Sequence, residues 1–212
     1  MPQFDRTERL ADGIVHVVGV TFGLAACLAL AVVAVPQADT LRLVSLGLYG
    51  AGLMAMLGCS ALYNLTSRQP WKGIFRRLDH AAIFVMIAGT YTPFALIVIG
   101  GAWGAGLLAV VWTVAIGGAL LKLLCPSRFE RLSIATYLIL GWTILVAVDP
   151  LFAAASLPGI VLLGMGGVLY SLGVVFHLWT RLPYQNAVWH LFVVAAAACH
   201  FTAILHDVAI IA

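Results

Sequence analysis

Long apolar stretches separated by short polar segments set the pattern of this sequence. An α-helix that crosses the hydrocarbon core of a bilayer needs about 20 apolar residues, and seven stretches approach or exceed this length. The predicted membrane spans cover residues 13–35, 41–65, 79–99, 104–124, 133–149, 158–180 and 185–211. The pattern therefore predicts an all-α membrane protein in which a single domain, residues 1–212, forms a bundle of seven transmembrane helices.

Proline positions agree with these spans, with one exception. Most of the prolines stand at or between the ends of the apolar stretches, where a missing backbone N–H does little harm. Pro93 lies within the third span, so we expect a kink in that helix. The first stretch is longer than the apolar core of roughly 7–15 residues in a signal peptide, so we interpret it as a retained helix.

Composition strengthens the membrane assignment. Hydrophobic residues make up 63% of the chain and charged residues only 9%, whereas a soluble domain carries roughly 25% charged residues. Such a chain has too little polar surface to cover a water-soluble globule, so its excess apolar area must face membrane lipid. The few basic residues lie in short segments between apolar stretches, which argues against nucleic acid as a partner.

Basic residues are distributed unevenly between the two ends of the predicted helices. Ten of the eleven lie at one end, namely Arg6, Arg9, Arg68, Lys72, Arg76, Arg77, Lys122, Arg128, Arg131 and Arg181. Arg42 alone lies at the other end. Because Lys and Arg concentrate on the cytoplasmic side of membrane proteins, the N-terminus is predicted inside and the C-terminus outside.

Polar side chains inside the spans gather at one level near the cytoplasmic ends of four helices. Such groups are costly in a bilayer and often functional. They are Asp12, His16, Asn64, Asp79, Asn186 and His190. Three helices carry a polar pair with the four-residue spacing that places both members on one face: Asp12 with His16, Ser60 with Asn64, and Asn186 with His190. The pattern predicts a convergent polar site, although Asp79 could instead only cap its helix and the asparagines could only join helices.

Several segments that carry these residues resemble the hemolysin III family, bacterial relatives of the progestin and adipoQ (adiponectin) receptors. The motifs are SALYN at 60–64, LDHA through IAGTYTPF at 78–94, and LPYQNAVWHLFV at 182–193. Glu8 through Asp12 to His16 is similar to the family's N-terminal signature. The resemblance covers essentially the whole chain and implies seven helices, a cytoplasmic N-terminus and a location in the bacterial inner (plasma) membrane.

The resemblance also implies a zinc site just inside the cytoplasmic face. Family members bind the metal with the histidine of S-x-x-x-H on the second helix and both histidines of H-x-x-x-H on the seventh. An aspartate on the third helix contributes directly or through water. The matching positions here are Asn64, Asn186, His190 and Asp79. Because a neutral amide oxygen is a poor zinc ligand, the sequence favours a metal-free or weakly binding site.

Three arrangements of this altered site stay open at the level of sequence. The asparagines could form a hydrogen-bonded network without metal. His16 could replace a missing ligand. A harder, oxygen-preferring cation could bind to Asp79, Asn64 and Asn186.

An altered metal site best fits a membrane-homeostasis or lipid-sensing regulator that binds lipid or a small molecule. One alternative is a zinc-dependent hydrolase of lipid amides, like the related ceramidases, with Asp79 orienting a water molecule and Ser60 supporting it. Another is the pore-forming activity behind the family's name, although no span carries a sustained polar stripe. Retinal is excluded because Lys72 and Lys122 lie at cytoplasmic rims and the seventh span lacks a lysine. The oligomeric state stays open.

Overall fold

A computed structural model of the chain describes residues 5–34, 36, 40–125 and 129–211. All regular structure within these residues is helical, and seven helices are long and apolar enough to cross a membrane. They are α1 (Arg6–Ala34), α2 (Thr40–Leu65), α3 (Trp71–Ile99), α4 (Gly101–Leu124), α5 (Glu130–Ala154), α6 (Leu157–Leu178) and α7 (Gln185–Ile211). The predicted seven-helix membrane class is thereby confirmed. Arg128 and residue 35, the predicted end of the first span, lie outside the described residues.

Two helices begin about two turns earlier than the apolar pattern predicts. α1 begins at Arg6 rather than near residue 13, and α3 begins at Trp71 rather than at residue 79. Hydropathy marks the part of a helix that lies in hydrocarbon, whereas backbone hydrogen bonding also continues through polar first turns such as those with Glu8 and Lys72. The added turns form a polar rim at this end of the bundle.

The central helix of the bundle is α3, which contacts α2, α4 and α5. Pro93 does not end it, because the chain continues in a wider, π-helical segment, Phe94–Ile99. The kink expected at Pro93 stays a prediction, and the structure shows a change of winding directly after the proline. The Thr92 hydroxyl donates to the carbonyl of Ala88 at 2.7 Å, which engages a backbone acceptor just before this change.

A change of winding in α5 is held by a side chain of α3. The segment Thr143–Ala147 tightens into a 3-10 helix, which alters the backbone hydrogen bonding around it. The Tyr91 hydroxyl accepts from the backbone N–H of Ile144 at 2.8 Å. The same hydroxyl lies 3.0 and 2.9 Å from the carbonyl oxygens of Leu140 and Gly141. Tyr91 thus satisfies backbone groups where α5 departs from regular winding.

The first and last helices are in contact, since α1 packs against α7 as well as against α2, its neighbour in the sequence. α6 packs closely on α7 through glycines, with Gly173 facing the indole of Trp189 and Gly166 facing the ring of His200. A side chain at either glycine would collide with the aromatic ring, so small residues permit this approach. Far from the polar rim, the bundle is filled by a packed core that includes Tyr49, Leu53, Phe94, Ala203, Ile204 and Val208.

Candidate functional site

A cavity of about 1060 Å³ lies inside the bundle at the polar rim, and residues of all seven helices line it. Its outer part carries charged side chains such as Glu8, Arg9 and Arg131, and His200 lies among its deepest residues. Every residue predicted for the polar site lines this one cavity: Asp12, His16, Ser60, Asn64, Asp79, Asn186 and His190. The structure therefore brings the predicted polar layer together around a shared space.

The tightest contact in this layer joins Asp12 to two histidines. His190 Nδ1 lies 2.6 Å from Asp12 Oδ1, and His16 Nε2 lies 3.6 Å from Asp12 Oδ2. The two imidazole rings are in contact, with their centroids 4.3 Å apart and their planes tilted by 52°. All three residues are buried. One carboxylate therefore stands between two imidazoles, where it can orient both rings.

Local sequence and helix packing together produce this arrangement. Asp12 and His16 are one helical turn apart on α1, and His190 lies in the second turn of α7. The carboxylate of Glu8 accepts a hydrogen bond from the backbone N–H of Tyr184 at 2.9 Å, which ties the start of α1 to the start of α7. Gly19 lets α1 approach α7 closely, since a Cβ there would lie 3.0 Å from Val194.

Ser60 and Asp79 extend the polar contacts toward α2 and α3. The Ser60 hydroxyl lies 3.5 Å from His190 Nε2, and it also lies close to the Asp79 carboxylate. Asp79 stands two turns inside α3, whose N-cap position is Pro70. The interpretation of Asp79 as only a helix cap is therefore wrong, because the helix begins eight residues earlier than the hydropathy indicated. Polar groups run continuously from α3 through α2 and α7 to α1.

The two asparagines occupy different positions around the cavity. Asn64 donates its side-chain N–H to the backbone carbonyl of Ser60 at 3.0 Å, so its amide nitrogen is engaged within α2. Asn186 lines the cavity from the first turn of α7. Both stand at the positions that the family resemblance assigns to zinc-binding histidines.

Three ligand-type side chains meet closely enough to hold one metal ion. Ligand atoms of Asp12, His16 and His190 all lie within 4.8 Å of one another. Asp79, which the family resemblance places in the ligand set, is not among the described residues that meet this closely. Asp12 belongs to the predicted polar layer but not to that ligand set, because the family's motifs assign ligands to other helices. The available signal was its four-residue spacing from His16.

The donor chemistry of these three residues fits zinc. Catalytic zinc sites commonly use three protein ligands drawn from histidine and carboxylate, each about 2.0–2.2 Å from the ion. Two such ligands of one tetrahedral ion lie roughly 3.4 Å apart by this geometry. The 3.6 Å separation of His16 Nε2 from Asp12 Oδ2 is close to that spacing, whereas the 2.6 Å between Asp12 Oδ1 and His190 Nδ1 is a hydrogen-bond distance and is shorter than the spacing of two ligands of one ion. His16 Nε2 is buried and has no hydrogen-bond partner among the described residues, as expected for a nitrogen whose lone pair is available to a metal.

Comparison with known proteins places the chain within a family. The family model described as Haemolysin-III related matches residues 4–201. The chain is 37% identical to the Hemolysin-3 homolog of Bacillus subtilis (strain 168) over 202 residues, 95% of each chain. It is 38% identical to Hemolysin-3 of Bacillus cereus over 205 residues, 97% of this chain and 93% of that one.

The chain is also similar, at lower identity and over a shorter stretch, to a human protein. The monocyte to macrophage differentiation factor of Homo sapiens is 30% identical over 166 residues, covering 74% of this chain and 67% of that protein. The bacterial matches extend over nearly the full length of both partners, and the resemblance found in the motifs of α2, α3 and α7 is confirmed. The chain belongs to the Haemolysin-III related family of multi-pass membrane proteins.

Proposed function

We propose that this protein is a lipid-binding regulator in the bacterial inner membrane, with a zinc ion held by Asp12, His16 and His190. The observation that carries the proposal is the convergence of these three buried side chains within 4.8 Å on the wall of a large cavity. The Asp12 carboxylate and the His16 imidazole take the place of the imidazoles missing from positions 64 and 186, while His190 keeps the position that the family resemblance assigns to it. The metal site of the family is thus shifted toward α1 rather than lost.

The three side chains connect the first helix, α1, to the last helix, α7, whether or not the ion is bound. Asp12 Oδ1 engages His190 on α7, while Oδ2 faces His16 on its own helix. When bound, zinc would supply a Lewis acid and a cross-link between α1 and α7. His190 Nε2, directed toward Ser60, links this contact to α2. A change in metal content would therefore alter how α1, α2 and α7 pack around the cavity.

Lipid is the ligand class that suits the cavity. Its volume of about 1060 Å³ is at the upper end of the roughly 300–1,000 Å³ of typical small-molecule sites. Apolar side chains such as Met86, Leu138 and Val194 line it within the membrane-spanning part of the chain. Charged residues at the rim can contact a polar headgroup. Because ten of the eleven basic residues mark this end, the cavity opens toward the cytoplasm.

Metal analysis of the purified protein tests the zinc site. The measurement is zinc per chain by mass spectrometry for protein prepared without chelators. We expect about one zinc in the native sequence and a large loss in His16→Ala and in His190→Ala. The matched control is His206→Ala, at the other end of α7, which should keep its zinc. Native protein that holds no zinc, and gains no thermal stability when zinc is added, would contradict the site.

Hydrolysis of lipid amides is a second candidate function. Ser60 and Asp79 favour it, because the Ser60 hydroxyl lies next to His190 in the cavity and the Asp79 carboxylate lies close to that hydroxyl. The test incubates the zinc-loaded protein with N-acyl sphingoid lipids and measures released fatty acid. Release that disappears in Asp79→Asn and in His190→Ala would favour the enzyme. If the zinc-loaded native protein releases no fatty acid, the regulator is favoured.

The names of the bacterial relatives suggest membrane lysis as a further possibility. Beyond His200 the bundle interior is occupied by wholly buried side chains, including Tyr49, Ile204 and Val208. This packing favours a closed binding cavity over an aqueous pore. We expect no release of a trapped dye from vesicles that contain the protein. Dye release in proportion to the amount of protein would favour the lytic function.

A further inference from the structure

The inner end of the cavity carries polar side chains that the metal site does not use. Tyr170 of α6 and His200 of α7 both line this end. Their rings lie 5.6 Å apart between centroids. His200 is ten residues beyond His190 on α7, which corresponds to roughly 15 Å along the helix axis. The pair therefore forms a second polar position, separate from Asp12, His16 and His190.

The hydrogen bonding of His200 determines which of its nitrogens can accept. Nε2 lies 3.2 Å from the backbone carbonyl oxygen of Leu163, and because a carbonyl only accepts, Nε2 carries the proton. The other nitrogen, Nδ1, is then an acceptor in the neutral ring. It is buried and has no partner among the described residues. Gly166 allows the ring to sit directly against α6, which holds Nδ1 in place.

Two tyrosine hydroxyls add further unused polar atoms at this depth. The hydroxyl of Tyr170 is buried and, in the part of the chain that the structure describes, lacks a hydrogen-bond partner. The same holds for the hydroxyl of Tyr49 on α2, which lies near enough to Tyr170 to interact with it electrostatically. A buried polar atom without a partner destabilises the fold, so the two of these atoms that belong to cavity-lining residues, on Tyr170 and His200, indicate a place where a ligand supplies the missing partner.

Apolar side chains separate the two polar positions. Ile83, Ile87, Val174 and Val193 line the cavity together with Met86 and Leu138. A ligand that reaches from the rim to His200 must therefore be apolar along its middle. At its inner end it must donate one hydrogen bond and accept another, which an alcohol does and a methyl group or a carbonyl does not.

We infer that the inner end of the cavity binds the hydroxyl group of an elongated amphiphile, which donates to His200 Nδ1 and accepts from the Tyr170 hydroxyl. The inference rests on the proposed lipid-binding function in one respect, that a ligand enters this cavity. It does not require a metal. Lipids with a hydroxyl at the far end of the acyl chain would be selected over lipids that end in a methyl group.

Two fatty acids that differ only at the end of the chain opposite the carboxylate test the inference. The probes are dodecanoate and its omega-hydroxy derivative, whose ionised carboxylates stay at the rim. Binding is measured in nanodiscs by the change in tryptophan fluorescence, since Trp142 and Trp189 line the cavity. The quantity compared is the ratio of the two affinities, because partition of each probe into lipid is the same for all variants.

Tyr170→Phe removes only the hydroxyl, and we expect the preference for the omega-hydroxy probe to fall about tenfold, as for the loss of one buried hydrogen bond. His200→Leu, a second variant, should have the same effect. The matched control is Tyr63→Phe, which alters a tyrosine near the rim of the same cavity and should leave the ratio unchanged.

The possible results separate this inference from the metal site. An unchanged ratio in Tyr170→Phe and His200→Leu overturns the inference. It would mean that the polar atoms at the inner end bind water and not a ligand hydroxyl. A native protein that binds neither probe overturns both the inference and the lipid-binding function. The expected shift in chelator-treated protein that holds no zinc supports the inference even if the metal site fails.

Discussion

Asp12 and His190 are 178 residues apart in the sequence, yet Asp12 Oδ1 and His190 Nδ1 lie 2.6 Å from each other. The contact joins the first helix of the bundle to the last, at the level of the cavity. Since His16 shares the same carboxylate, one aspartate organises two potential metal ligands. The candidate metal site therefore depends on how α1 and α7 pack, and substitutions at Asp12 should affect stability as well as metal binding.

Replacing Asp12 with asparagine should destabilise the metal-free protein. The variant keeps the side-chain shape but removes the charge that binds two buried imidazoles. We expect a loss of about 1–3 kcal/mol in the free energy of unfolding, measured by denaturation of chelator-treated protein in mixed micelles. Asp149→Asn, at an exposed position in α5, is the control and should change stability by less than about 0.5 kcal/mol. Equal effects of the two substitutions would contradict a structural role for Asp12.

Zinc affinity should fall in acid. Imidazole binds a metal only in its neutral form, so protons compete with zinc for His16 and His190. We expect a lower affinity at about pH 5.5 than at about pH 7.5, because protons compete more strongly with zinc at the lower pH. Competition titration with a chelating dye, corrected for the dye's own pH dependence, measures the effect. An affinity independent of pH over this range would indicate oxygen ligands instead of imidazoles.

Restoring the histidines of the family pattern should tighten metal binding. In the double variant Asn64→His, Asn186→His, both positions already line the cavity that contains His190. We expect a higher zinc affinity and a higher melting temperature in zinc than for the native sequence. Each single variant is a control and should gain less. Unchanged metal content and thermal stability in the double variant would show that the motif positions do not converge as the resemblance implies.

Close packing between α3 and α4 should make Gly104 of α4 sensitive to substitution. A Cβ at Gly104 would overlap the carbonyl oxygen of Ala95, whereas a Cβ at Gly106 meets no described atom within 4 Å. Gly104→Ala should therefore lower the free energy of unfolding by about 1–3 kcal/mol. Gly106→Ala, on the same helix, should be neutral or slightly stabilising. Similar melting temperatures for the two variants would contradict the close approach of the helices.

Helix boundaries illustrate how far the sequence predicts local structure. The apolar pattern predicts the existence and order of all seven helices, because each span must satisfy its own backbone hydrogen bonds and match the bilayer thickness. It misplaces the beginning of α3, since Trp71, Lys72 and Arg76 are polar or interfacial yet helical. That displacement led to the wrong interpretation of Asp79 as a possible helix cap.

The candidate site shows where prediction from sequence ends. Its level in the membrane follows from the positions of His16, Asn64, Asp79 and His190 along their spans, and all of them line one cavity. The pairing of Asp12 with His190 does not follow from any local pattern. Family motifs directed attention to α2, α3 and α7, whereas the closest group of ligand-type side chains spans α1 and α7.

The sequence by itself determined the membrane class, the number of helices and the level at which polar side chains collect. These properties follow from hydropathy and from helical spacing, both of which are local. Only the tertiary structure decided which polar side chains meet and which polar atoms at the inner end of the cavity lack a partner. Those relationships depend on the packing of α1 and α6 against α7, and such contacts between distant segments are set by the shapes of whole helix faces.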